Sequence, residues 1–171
     1  MAFLLLAGGL SAQTAGLEYQ VKAAMLYNFA KFVEWPEDDR GPLVVGVLGK
    51  DPFGGVLEET LRDKTVHGRP IVVRKYHTLG ELGASHILFI ARSEKKFVPE
   101  ILEPLHKLGV LTVADIDQFA QSGGAIGFTI DGGRIRFEIN LEAARRAGLE
   151  ISSKLLRLAT VTGGAPAGEN N

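Results

Sequence analysis

Four short apolar runs constrain the fold of this 171-residue chain more than any other feature. They are Leu43–Leu48, Pro70–Tyr76, His86–Ala91 and Val110–Val113. Continuous apolar runs are typical of strands buried on both faces, as in parallel sheets. Segments with helical spacing of apolar residues separate most of them. The pattern therefore predicts an α/β fold, a single three-layer Rossmann-like domain with a mostly parallel sheet.

The C-terminal third changes to an antiparallel pattern. Asp131-Gly132-Gly133 joins the runs Ala125–Ile130 and Arg134–Ile139, and Asp-Gly between apolar runs is a strong hairpin signal. In the second run, apolar and charged residues alternate, which predicts one buried and one wet face. We expect this hairpin to extend one edge of the sheet.

Several polar residues stand where helices begin. Asp51 precedes Pro52, Ser93 precedes an apolar helical pattern, and Asp115 lies three residues before Gln118, which predicts three N-caps. Pro99 lies inside the second of these helices and predicts a late start or a kink. Asn140 is expected to cap a helix Leu141–Ala147 closed by Gly148, and Ser152 or Ser153 to cap a last short helix.

An amphipathic helix opens the chain, with the sequence VKAAMLYNFAKFVEWP from Val21 to Pro36. Its apolar face is wide enough to predict near-complete burial, and Pro36 ends it. Its polar stripe contains three candidate ligand-binding residues, Asn28, Lys31 and Glu34. The alternative is a plain core helix whose stripe has no ligand.

The chain ends differ in composition from the centre. Residues 1–15 have a short apolar run followed by small residues, which predicts a secretory signal peptide with a truncated basic region, and therefore export. Residues 17–160 form the predicted α/β domain. Residues 161–171 are rich in Gly, Pro and Ala and are predicted to be a disordered tail.

Composition and motifs argue against catalysis. The chain has no cysteine, so disulfides and thiolate chemistry are excluded. Its four histidines lack metal-ligand spacing, and the GKDPFGG segment from Gly49 matches neither phosphate-binding pattern. A net charge of −1 gives no basic excess for nucleic acid. We therefore predict no enzyme and no cofactor.

A ligand in an open α/β sheet favours the crevice beyond the carboxyl ends of the strands. The residues expected at that edge are Lys50, Asp51, Phe53, Arg92, Ser93 and Asp115.

Five blocks of the sequence, in order from Glu18 to Ala159, resemble the YfiR/HmsC-like family of exported proteins. They are VKAAMLYNFAKFVEWP, GVLGKDPFGG, SHILFIARSE, VLTVAD and RIRFEINLEAARRAGLEISSKLLRLA. The resemblance implies a periplasmic, non-enzymatic α/β domain that tends to form homodimers. Well-described members repress a membrane-bound diguanylate cyclase by binding its periplasmic sensor region, which restrains cyclic-di-GMP signalling and biofilm formation.

The resemblance also implies which residues contact the partner. Carried over position by position, these are Glu138, Asn140, Leu141, Ala144, Glu150 and Ser152. The structural alternative for Asn140 is a helix cap, and for Leu141 and Ala144 it is core packing. Many members have Cys where this chain has Ser85, so a disulfide switch is excluded here. A small-molecule-binding module is the second functional hypothesis.

Overall fold

A computed structural model describes residues 8–36 and 41–163, with side chains from residue 13 onward. Residues 1–7 of the predicted signal peptide and residues 164–171 of the predicted tail lie outside the described ranges. Only the backbone is described for residues 8–12. None of the helices in the described ranges combines the length and hydropathy needed to cross a bilayer.

Within the described ranges, the central sheet has eight strands in the order β10-β8-β7-β6-β5-β2-β4-β3. Five of its seven neighbouring pairs are parallel, and β7–β8 and β3–β4 are antiparallel. A separate antiparallel ribbon pairs β1 with β9. The strands are β1 Val33–Glu34, β2 Leu43–Leu48, β3 Thr65–Val66, β4 Arg69–Tyr76, β5 Ile87–Ile90, β6 Leu111–Ala114, β7 Ile126–Asp131, β8 Arg134–Asn140, β9 Glu150–Ile151 and β10 Thr160–Thr162.

The described residues form five α-helices and two 3-10 helices. The α-helices are α1 Gly8–Phe32, α2 Val56–Leu61, α3 Val98–Leu105, α4 Leu141–Arg146 and α5 Ser153–Leu156, and the 3-10 helices are Leu79–Glu81 and Arg92–Phe97. The protein is thus α/β with a mostly parallel central sheet, as the sequence predicted.

Helices cover both faces of the sheet because the side chains of each buried strand alternate. In β5, Ile87 and Phe89 pack in the larger apolar cluster with α1 and α2, whereas Leu88 and Ile90 pack in a second cluster with α3. Phe29 of α1 anchors the larger cluster, with its ring 5.1 Å from that of Phe137 and 5.8 Å from that of Phe128. Truncating such a ring costs about 3–5 kcal/mol.

The four predicted strands and the hairpin are confirmed. Burial on both faces is confirmed for β2, β5 and β6 but not for β4, where only Tyr76 is buried, and the hairpin is not at the edge of the sheet. β10 pairs in parallel with β8 and is the outermost strand. The pairing includes Thr162, so the folded chain extends beyond the predicted boundary at residue 160. The turn of the hairpin is Gly132-Gly133, with φ of 55° and 75°, values that glycine adopts without strain.

All three predicted N-caps, at Asp51, Ser93 and Asp115, are wrong. Asp51 accepts a hydrogen bond from Phe53 N (2.8 Å) in a local turn, and α2 begins only at Val56 because Gly54 and Gly55 have left-handed φ values. No α-helix follows Asp115, because its carboxylate binds α1 instead of capping backbone amides. Ser93 does not cap a helix, since its hydroxyl accepts from Lys50 N at 2.9 Å and donates to Glu94 at 2.8 Å. The late start implied by Pro99 is confirmed, since α3 begins at Val98.

The opening helix is confirmed and is longer than the quoted block, but its predicted near-complete burial is wrong, because Ala24 is exposed and Met25 and Phe32 are only partly buried. Its predicted apolar face is buried at Ala23, Leu26, Phe29 and Ala30, but Val21 is exposed. In its place Lys22 lies in the core with 1% exposure. The helix ends at Phe32, ahead of Trp35, and β1 follows at once.

Candidate functional site

The predicted partner-binding residues begin on β8, whose alternation is confirmed. Phe137 and Ile139 are buried, and Glu138 between them is half-buried. Gln121 Nε2 donates a 2.9 Å hydrogen bond to Glu138 Oε2. This contact orients the carboxylate on the wet face of the sheet, next to the outer strand β10, where Thr160 is its register partner.

Both the oxygen and the nitrogen of the Asn140 side-chain amide form hydrogen bonds within the fold. Its Oδ1 accepts from Ala143 N at 3.0 Å, the predicted N-cap of α4, and its Nδ2 donates to Ala120 O at 2.8 Å. A Cβ at Gly163 would lie only 2.3 Å from Asn140 Oδ1, so the chain leaving β10 passes directly over this side chain. Asn140 therefore joins β8, α4 and the C-terminal strand.

Leu141 is half-buried against the core and Ala144 is fully buried. A partner that touches this segment would meet Leu141 directly, whereas Ala144 would act only through packing. Ser152 caps α5 through a 3.2 Å bond from Lys154 N, and its own amide donates to Phe32 O at 2.9 Å. Its predicted cap is thus confirmed.

The β1–β9 ribbon places one predicted ligand-binding residue next to one predicted partner-binding residue. Glu34, a predicted ligand-binding residue, is the register partner of Glu150, a predicted partner-binding residue. Both are exposed. Directly opposed side chains in an antiparallel pair have Cβ atoms about 4.5–5.5 Å apart. The two carboxylates therefore form one acidic spot at the junction of α1 and the C-terminal segment.

The other two predicted ligand-binding residues are placed differently. Asn28 is exposed on α1. Lys31 is half-buried, and its ammonium lies 4.8 Å from the centre of the Tyr27 ring and 5.5 Å from that of Phe32. Cation–π contacts of this kind hold the charge against α1. A ligand role for this stripe stays a prediction.

The predicted crevice at the carboxyl ends of the strands is filled by α1. Asp115 follows β6, and its Oδ2 accepts from Lys22 Nζ and from Tyr19 Oη, both at 2.7 Å. Lys22 also contacts Glu18, and Arg92 Nε donates to Asp115 O at 3.1 Å. The formal charges of the two basic and two acidic groups cancel, which is what allows Lys22 and Asp115 to stay buried.

Asp115 Oδ1 is buried and lies 3.4 Å from Arg92 Nε, without accepting a hydrogen bond from the described residues. Burial, followed by the hydrogen bond to Asp115, raises the pKa of the Tyr19 hydroxyl well above its ordinary value of 10.0. This cluster was missed at the sequence level. The available signal was Lys22 itself, which shares the core-facing stripe of Leu26 and Phe29 at helical spacing.

Within the ranges that the structure describes, no group of three or more His, Asp or Glu side chains is arranged to hold a metal ion.

Fold and surface together define an α/β protein with a mostly parallel sheet and an exposed acidic ribbon next to the C-terminal strands. The chain belongs to the YfiR/HmsC-like family, whose model matches residues 19–160. This family is regulatory and periplasmic and is known in the control of cyclic-di-GMP signalling, where it implies a protein partner. A search of curated proteins gave no match.

Proposed function

We propose that this protein represses a membrane-bound diguanylate cyclase by binding the periplasmic sensor region of that cyclase. The family match over residues 19–160 carries the proposal, because it includes every predicted partner-binding residue. Repression by contact needs no catalytic step of its own. In the cell the outcome would be less cyclic-di-GMP and less biofilm.

The surface that we assign to this contact is called the C-terminal surface and comprises Glu138, Asn140, Leu141, Ala144, Glu150 and Ser152. It combines the half-buried apolar side chain of Leu141 with the carboxylates of Glu138, which is half-buried, and Glu150, which is exposed, whereas Ala144 supports it from the core. An apolar centre with a charged rim is the usual composition of an interface. Its members lie on β8, α4, β9 and the N-cap of α5, and the hydrogen bonds of Asn140 and Ser152 hold them in place. A surface fixed in this way loses little conformational entropy on binding.

Two further features belong to the same proposal. We infer that the domain is Rossmann-like and three-layered, since apolar clusters lie on both faces of its sheet. We also infer that it acts as a homodimer in the periplasm, as the resemblance to the family implies.

The decisive experiment measures binding to the purified periplasmic domain of a candidate cyclase, such as one encoded beside this gene. Glu138→Lys reverses a charge that only Gln121 contacts among the described hydrogen bonds. We expect binding to weaken at least tenfold and cellular cyclic-di-GMP to rise. Glu100→Lys, at an exposed position of α3, is the matched control and is expected to bind like the wild type.

An unchanged affinity and unchanged cyclic-di-GMP in a folded Glu138→Lys protein would show that the C-terminal surface is wrongly assigned. Absence of binding by the wild-type protein to any membrane cyclase of its own cell would refute the repressor role itself.

A further inference from the structure

A cavity of about 670 Å³ opens at the amino-terminal edge of the sheet, opposite the Asp115 cluster. Four segments that precede or follow the sheet enclose it: the end of β1, the loop before β5, the loop between α3 and β6, and the end of α4. The lining residues on which the argument depends are Trp35, His86, Leu105, Lys107, Leu108 and Arg146. Its volume lies in the range of about 300–1,000 Å³ that is typical of small-molecule sites.

The indole of Trp35 is held in a fixed orientation at the cavity. Trp35 Nε1 donates a 3.1 Å hydrogen bond to His86 O, and the indole meets the His86 ring edge-to-face at 5.8 Å. Leu105 is buried, whereas Leu108 is 65% exposed, the second highest value among the large apolar side chains that the structure describes. An exposed leucine and a fixed indole that line the same cavity offer contact surface for an apolar group.

The charged residues that line the cavity, among those described, are basic. Lys107 and Arg146 are exposed, and none of the described lining residues is acidic. Arg146 lies 3.3 Å from Glu142 in an exposed pair of the α4 surface, which is worth little and leaves most guanidinium donors available. Residues 37–40, which follow Pro36, are outside the described ranges, so this charge balance is that of the lining residues alone.

Arg146 stands at the end of α4, but interaction with the unpaired carbonyls of that helix end does not explain its presence there. Cations often serve the unpaired carbonyls at the end of a helix. In α4, however, the carbonyls of Ala143, Ala144 and Arg145 already accept from the amides of Ala147, Leu149 and Gly148 at 2.9–3.2 Å. These three carbonyls therefore do not require the Arg146 charge.

We propose that this cavity is a binding site for a small amphipathic anion. The apolar body of the ligand lies against Trp35 and Leu108, and its acidic group lies between Lys107 and Arg146. The site shares no residue with the C-terminal surface, and this inference does not depend on the proposed repression of a cyclase.

The experiment uses Trp35, the only tryptophan of the chain, as a reporter inside the site. The full-length protein is titrated with anilinonaphthalene sulfonate and with phenylnaphthylamine, which has the same rings without the sulfonate. We expect the sulfonate to quench Trp35 with energy transfer to the probe. We also expect it to bind at least tenfold more tightly than the neutral compound, because one charge-assisted contact has that strength.

Two variants test the basic and the apolar residues of the site separately, and a third serves as a control. Lys107→Gln/Arg146→Gln is expected to weaken sulfonate binding about tenfold and to leave phenylnaphthylamine unchanged. Leu108→Ala is expected to weaken both probes and, being exposed, to leave the fold intact. Arg62→Gln/Lys96→Gln removes two exposed charges elsewhere and is expected to change neither affinity.

Three results would each overturn the proposal. The first is equal affinity of the wild type for both probes. The second is an unchanged sulfonate affinity in Lys107→Gln/Arg146→Gln, with wild-type circular dichroism. The third is a rise in probe fluorescence without any change at Trp35, which would locate the probe elsewhere on the protein.

Discussion

Lys22 Nζ lies 2.7 Å from Asp115 Oδ2 although 93 residues separate the two positions, and the side chains are only 1% and 2% exposed. This pair fastens the first helix to the carboxyl end of β6. Glu18 and Arg92 complete a neutral set around it. The edge of the sheet where α/β proteins often bind ligands is therefore used here for internal attachment.

Lys22→Met is expected to lower the free energy of unfolding by about 3–5 kcal/mol, because it leaves the Asp115 carboxylate buried without its main counter-charge. Urea denaturation at pH 7 measures this change. Lys75→Met is the matched control, since Lys75 also contacts two carboxylates at 2.7 Å but is 45% exposed. Its cost should stay within about 1 kcal/mol.

The double variant Lys22→Met/Asp115→Leu tests whether the two charges act as a pair. With neither charge left in the core, the loss is expected to be smaller than the sum of the two single losses. Strict additivity would show that the two side chains do not interact in the native protein.

Because of Tyr19, the free energy of unfolding should depend on pH in the alkaline range. Its pKa is raised in the folded protein, so the unfolded chain releases the phenolic proton first, near pH 10. The stabilising effect of the hydroxyl is complete below pH 10 and declines as the pH rises above it. The advantage of the wild type over Tyr19→Phe in free energy of unfolding should therefore shrink between pH 9 and pH 11.

Absorbance titration of the three tyrosines provides an independent readout. One of them should ionise late in the native wild type, and the late transition should vanish in Tyr19→Phe. A late transition that persists in the variant would assign the raised pKa to another tyrosine.

Asn140→Ala is expected to cost about 2–3 kcal/mol, because it removes the cap of α4 and leaves the carbonyl of Ala120 without its donor. Ser152→Ala removes a cap alone and should cost about 1 kcal/mol. Chemical denaturation of both variants compares the two losses. Equal losses would show that the bond from Asn140 to Ala120 adds nothing to the cap.

Local patterns predicted the parts of the fold that depend on neighbours in sequence. β2 matches its predicted bounds of Leu43–Leu48, and the hairpin turn and the caps at Asn140 and Ser152 were found because periodicity and turn chemistry are local. The helix predicted from Asp51 failed for an equally local reason. Gly54 and Gly55 adopt left-handed φ values that a capping rule does not anticipate.

Long-range relationships could not be predicted in the same way. Asp115 was interpreted as a helix cap because its partners, Tyr19 and Lys22, are near the other end of the chain. β10 was assigned partly to the tail because three residues next to a Gly- and Ala-rich segment have no strand period of their own. Its pairing with β8 is a property of the assembled sheet.

The opposed carboxylates of Glu34 and Glu150 lead to a prediction that separates stability from binding. Like charges directly opposite each other in an antiparallel pair destabilise it, so Glu150→Lys should raise the free energy of unfolding by about 0.2–1 kcal/mol at low salt. The gain should shrink in 1 M salt, where charges are screened. Glu34→Lys/Glu150→Lys restores like charges and should return the stability to the wild-type value.

If the C-terminal surface binds a partner, the same Glu150→Lys substitution should weaken that binding while the protein becomes more stable. The two effects then have opposite signs, and a folding defect cannot explain the loss of affinity. Calorimetric titration with the cyclase domain, beside urea denaturation of the same samples, measures both. A loss of stability in Glu150→Lys would show that Glu34 and Glu150 do not face each other across the ribbon.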